Sequence, residues 1–159
     1  MALTVNFTGA ASLSTETNPT NVVTDVGQGI PYGLQPKLGI MKSRVDTSKT
    51  GGTNTNSDVY EAILIPAGYC VLSAWFVTVS AESTNTTATM SLGIGGDVDE
   101  FVAATAPDTD DEIFPMDGDA LALNGSYCAT ADTIDLKVAT AAFTDAIVDV
   151  YALVLDMNP

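Results

Sequence analysis

Nine of the chain's twenty carboxylates fall between Asp97 and Asp119: Asp97, Asp99, Glu100, Asp108, Asp110, Asp111, Glu112, Asp117 and Asp119. Hard oxygen donors at this density suit Ca²⁺, and a pair of carboxylates is what a glycosidase uses as acid and base. The spacing argues against the familiar calcium loop. An EF-hand needs Gly at its sixth position and Glu at its twelfth. Counted from Asp108 those positions are Ile113 and Asp119, and counted from Asp97 they are Val102 and Asp108. Asp117 with Asp119, or Asp97 with Glu100, are nominal glycosidase pairs, but twenty carboxylates generate such pairs by chance. A solvated acidic loop that aids solubility is the simpler reading.

The other chemistries fare worse. Histidine is absent, which removes the commonest general base, any Ser-His or Cys-His nucleophile and most catalytic zinc sites. Gly93-Ile94-Gly95-Gly96 lacks the third glycine of a dinucleotide fingerprint and is followed by no βαβ unit, so a tight turn explains it. Cys70 and Cys128 lack the paired spacing of a zinc site and sit in apolar contexts, where buried thiols are expected; a disulfide between them is the alternative. Tyr32, Tyr60, Tyr69, Trp75, Tyr127 and Tyr151 can in principle stack on sugars. Five of the six fall in or beside expected strands, where packing is the usual role. The sequence thus points to no catalytic residue, no cofactor, no metal ligand set and no enzyme.

Charge is lopsided, with five Lys and Arg against twenty Asp and Glu, a net −15. Such a chain repels phosphate backbones, so nucleic-acid binding is disfavoured. Four of the five cations, Lys37, Lys42, Arg44 and Lys49, cluster within thirteen residues. They are either solvated side chains or contacts to an acidic partner surface. No apolar run approaches the roughly 20 residues of a bilayer span, and no basic region leads into an apolar core at the start, so neither a membrane segment nor a secretory signal is expected.

The elements that must hold these residues read as strands. A chain of 159 residues suits one domain. Residues 1–57 are expected to form an N-terminal arm, a first strand at about 37–46 and a polar loop, because Pro19, Gly27, Gly29, Pro31 and Gly33 interrupt any regular element. Residues 58–159 are expected to form the domain proper, with strands near 59–65, 69–80, 86–94, 120–123, 126–138 with a break near Asp132, and 145–157. In 87–94, Ala88, Met90, Leu92 and Ile94 alternate with polar or small residues, the period that buries one face of a strand. Pro66, Ala67 and Gly68 divide two apolar runs and predict a tight turn. Large residues on both parities of 69–80 predict a strand covered on both sides, with Trp75 buried between the sheets or under a subunit contact. Asp99–Ala106, stopped by Pro107, is the one expected helical turn. The fold class is therefore all-β: a single antiparallel β-sandwich, jelly-roll or immunoglobulin-like, with an extended N-terminal arm.

With the strands placed, "DVYEAILIPAGYCV" at 58–71, "TVSAESTNTTATMSLGIGGDVDEFV" at 78–102, "YCATADTIDLKV" at 127–138 and "VDVYALVLDM" at 148–157 resemble a group of small virion structural proteins of tailed phages, especially marine and cyanobacterial ones. The glycine-aspartate turn of that group takes an altered form here, Gly95-Gly96-Asp97. The resemblance implies a non-enzymatic virion protein at the capsid surface: a decoration, or cement, protein, bound to the major capsid protein as a homo-oligomer, by expectation a trimer. Lys37, Lys42, Arg44 and Lys49 are the expected partner contacts. The alternatives are a fibre or adhesin-type module binding host-surface glycans and, from another class, a glycosidase using the acidic loop.

Overall fold

The computed structural model describes residues 37–49, 57–117 and 125–158. Among these are nine strands: β1 (Lys37–Asp46), β2 (Val59–Ile65), β3 (Tyr69–Ser80), β4 (Thr89–Ile94), β5 (Asp97–Thr105), β6 (Ile113–Phe114), β7 (Ser126–Cys128), β8 (Asp132–Ala139) and β9 (Ile147–Asp156). One 3₁₀ turn, Thr47–Lys49, follows β1. The strand expected at 120–123 lies outside the described residues.

Two antiparallel sheets form. The first runs β1-β9-β3-β6, with β7 also paired to β3, and the second runs β2-β8-β4-β5. The pairing has a simple logic: β4 meets β5, β3 meets β6 and β7, β2 meets β8, and β1 meets β9. The chain is one long hairpin, folded at Gly95 and Gly96, whose successive strand pairs go to opposite sheets. That connectivity is a jelly roll, the first of the two expected sandwich types.

Alternation builds the core between the sheets. Met41 and Val45 of β1, Phe76 of β3 and Val148, Val150, Ala152 and Val154 of β9 face Ile63 and Ile65 of β2, Met90 and Leu92 of β4 and Ile134, Leu136 and Val138 of β8, all buried. Phe76 stacks on Phe114 of β6 with ring centroids 4.7 Å apart. The Pro66–Gly68 turn carries the chain from the second sheet to the first. Gly68 has φ of 84°, a conformation that calls for glycine, and a Cβ there would only push the exposed Asn158 side chain aside.

Three expectations are corrected. Of the expected helical turn at 99–106, residues 99–105 form most of β5 instead. Ala103, Ala104 and Ala106 favour helix locally, but Val102 pairs with Leu92 and Phe101 and Val102 are buried against the core, so tertiary pairing overrides propensity. The first strand belongs to the sandwich, since β1 pairs with β9 over ten residues from Lys37 opposite Asp156 to Asp46 opposite Ile147. Met41, Ser43 and Val45 turn inward, a period obscured in sequence by its serine and by the neighbouring charges. Of the two positions expected for Trp75, between the sheets or under a subunit contact, the first is not found. A bulge between Val71 and Ser73 shifts the parity of β3, so that Ala74, Phe76 and Thr78 are buried and Trp75 stands half-buried on the outer side.

Candidate binding surface

The two outer faces of the sandwich differ. On the second sheet, Ser91, Lys137 and Val59 share one row of the register and Gly93, Asp135 and Glu61 the next. This face is polar. Its exposed apolar side chains, Val59 and Leu64, stand at opposite ends of β2, and single exposed apolar residues are ordinary.

On the first sheet many of the outward positions are apolar. Leu38 and Ile40 of β1 lie opposite Leu155 and Leu153 of β9. Trp75 of β3 lies opposite Tyr151, and their rings stack with centroids 5.5 Å apart and an interplanar angle of 5°. Val77 is paired with Ile113 of β6, and Cys70 with Tyr127 of β7. Ile113 and Tyr127 are each 61% exposed and Ile40 is 41% exposed.

A charged cluster sits in this face. Asp149, on β9, is buried yet points away from the core. Arg44 grips it with two bonds, Nε to Oδ1 at 2.7 Å and a terminal nitrogen to Oδ2 at 2.9 Å. Lys42 Nζ lies 2.7 Å from Oδ2 and 5.1 Å from the centre of the Tyr151 ring. The hydrogen bonds from Arg44 hold the Asp149 carboxyl below its ordinary range against the opposing effect of burial, and each cation is raised by its own hydrogen bond to Asp149. The register makes this cluster: Arg44 faces Asp149 directly and Lys42 faces Tyr151. Of the four expected partner-contact residues, Lys42 and Arg44 are thus brought together and engaged within the chain. Lys37 enters through its backbone at the end of β1 opposite Asp156, and Lys49 ends the 3₁₀ turn. The side chains of these two lie outside the described residues.

The acidic segment is put to local use. Asp110 accepts from the Ala81 amide at 2.7 Å, and Asp117 from the Ala103 amide at 3.0 Å. Glu100 is buried; that burial, and then Asp97, push its carboxyl upward while the Ser126 hydroxyl lowers it. Among the described residues no three acidic or thiol side chains converge as metal ligands. Asp119, half of one nominal acid-base pair, lies outside the described residues. Tyr69 lies opposite Cys128 and Tyr127 opposite Cys70, so the two cysteines project from opposite faces of the sheet. Both are free; Cys128 is buried and Cys70 half-buried, and burial raises the Cys128 thiol.

One residue gave no signal in the sequence. Glu82 is 2% exposed and ties the β3–β4 connection to the β8–β9 connection. Its Oε1 accepts from the amides of Thr84 and Asn85 and the hydroxyl of Thr144, and its Oε2 from the amides of Thr144 and Asp145. Burial raises its pKa, but the donors of Thr144, Asn85 and Asp145 outweigh burial and hold it at about 2. Asp145 in turn accepts from the amide and hydroxyl of Ser83. The arrangement is a structural latch, since five hydrogen bonds from two connections converge on one carboxylate.

No protein-family model and no curated protein matches the chain. Solved structures do. A chain of the capsid of Ralstonia phage GP4 superposes with a TM-score of 0.58 at 14% identity, covering 84% of this chain and 92% of that one. A chain of the capsid asymmetric unit of cyanophage Pam1 gives 0.54 at 17% identity, covering 89% and 97%. A chain of the acid-stable capsid of Helicobacter pylori bacteriophage KHP30 gives 0.51 at 13%, covering 74% and 86%. The chain shares its fold with chains of three phage capsids.

Proposed function

We propose that this chain is a non-enzymatic structural protein of a phage virion, and within the virion a decoration protein bound to the outside of the head lattice through the major capsid protein. The observation that carries the reading is the jelly roll shared, over most of both chains, with chains of three phage capsids. The composition supports it: an acidic surface without histidine suits a stable shell component better than a catalyst. A homotrimer would hold several lattice subunits at once. Residues 1–36 precede the sandwich and are proposed to reach neighbouring subunits.

The cation segment Lys37, Lys42, Arg44 and Lys49 is proposed as partner-facing. Because Asp149 already engages Lys42 and Arg44, an acidic partner would add to an existing ion cluster rather than pair with free cations. The exposed aromatic content of the first sheet, above all Tyr127, favours glycan binding as the second reading. Purified protein mixed with undecorated heads tests the first proposal: co-sedimentation at saturable stoichiometry is expected. Failure to bind heads together with binding on a glycan array would replace it with the second.

A further inference from the structure

The outer face of the first sheet carries apolar side chains that stay exposed among the described residues, Ile40, Ile113 and Tyr127 above all. The register sets its side chains in rows: Leu38, Leu155, Cys70 and Tyr127 in one, Ile40 and Leu153 with Ser73 in the next, then Tyr151 with Trp75, and last Val77 and Ile113 beside the Arg44–Asp149 pair. We propose that this face is where a second copy of the chain docks. The inference deepens the homo-oligomer part of the proposed function and rests on it, but does not require attachment to heads.

Charge supports a second copy as the occupant. The chain carries −15, so two copies repel one another over most of their surfaces. The outward strand positions of this face hold Lys42 and Arg44 against Asp46 and Asp149, a local balance of zero. This is a surface on which two acidic copies can approach with less repulsion than over the rest of the chain. Area supports it as well. Three strands of ten or more residues, about 4.8 Å apart and rising about 3.3 Å per residue, with the short β6 and β7 at their edge, present about 550 Å², so two such faces in contact would remove about 1,100 Å², above the roughly 1,000 Å² that a specific interface should clear. The stacked Trp75 and Tyr151 pair at its middle is the type of rigid aromatic anchor that dominates such contacts.

The test is sedimentation of the full chain and three variants at equal concentration. Ile113→Asp combined with Tyr127→Asp places two charges at positions 61% exposed in the monomer, and Ile40→Asp adds an independent probe on another strand at 41%. Leu64→Asp, at an equally exposed site on the second sheet, is the control. The wild type and Leu64→Asp are expected to sediment as the same oligomer. The double variant and Ile40→Asp should weaken association by at least about 100-fold, toward the 16.4 kDa monomer, with unchanged circular dichroism. A monomeric wild type, including one in which residues 1–36 shield Trp75, overturns the inference, as does an oligomer that survives both sets of substitutions or dissolves equally with Leu64→Asp. Head binding is scored separately. An oligomer that ignores heads contradicts the proposed function alone, and a monomer that binds heads contradicts this inference alone.

Discussion

The two outer faces of the sandwich share one core and one rule of alternation, yet one is polar and the other apolar. On the second sheet the outward positions hold Glu61 opposite Asp135 and, one row on, Lys137 opposite Val59. On the first, the corresponding rows hold Trp75 against Tyr151 and Leu153 against Ile40. A fold needs only the inward half of each strand to be apolar. The exposed apolar positions of the first sheet, Ile40, Ile113 and Tyr127, are where the proposed contact is to be sought.

Adjacent residues of β3 give the largest contrast. Phe76 faces inward, fully buried and stacked on Phe114, and Phe76→Ala should cost about 3 to 5 kcal/mol. Trp75, one residue earlier, faces outward. Chemical denaturation at a concentration where the chain is dissociated should find Trp75→Ala costing only about 1 to 2 kcal/mol, chiefly the lost stacking on Tyr151 and part of its buried area. Equal costs for the two would mean that the faces are not distinct.

Between these lies Glu82, which belongs to neither face but joins two connections at one end of the sandwich. Glu82→Gln exchanges an accepting oxygen for an amide that faces backbone donors, and should cost about 1 to 3 kcal/mol at neutral pH. The sign with pH follows from its depressed pKa. The carboxylate is about 2 in the folded chain against an ordinary 4.5, so its contribution is complete above 4.5 and is lost as pH falls through about 2. Urea midpoints of wild type and Glu82→Gln should therefore converge between those values. A constant gap would show that the latch does not depend on the carboxylate charge.

The smallest effect is expected on the polar face. Lys137→Ala, on the outward side of β8, should change stability by no more than about 0.5 kcal/mol and leave association unchanged, as gel filtration and a melt would show. A loss of association would move the working surface to the second sheet.

What the sequence made legible follows from the range of the forces involved. β2 and β3 were readable to the residue, because Pro66 and Gly68 end one strand and begin the next by local sterics. β5 was not. Its alanines carry a helical bias, and only pairing with Leu92, ten residues away, turns it into a strand. The orientation of Trp75 depended on a bulge at Leu72 that exists only against Val154 and Leu153 of β9. Among the candidate site residues, the cluster of cations was visible in the sequence, but its satisfaction by Asp149 was not, since the partner lies 105 residues from Arg44. Glu82 was hidden for the same reason, its decisive donors at Thr144 and Asp145 lying 62 and 63 residues away. Local punctuation survives in sequence, while a face, a bulge or a latch is a property of register.

The central claim is a place on the virion. Particle imaging of the phage that carries this chain, at a resolution that resolves strands, tests it directly. The account predicts jelly-roll density on the outside of the head lattice, in contact with the major capsid protein, with the β1-β9-β3 sheet turned toward a neighbouring copy. Density for the chain in the tail or fibres, or its absence from the particle, would contradict it.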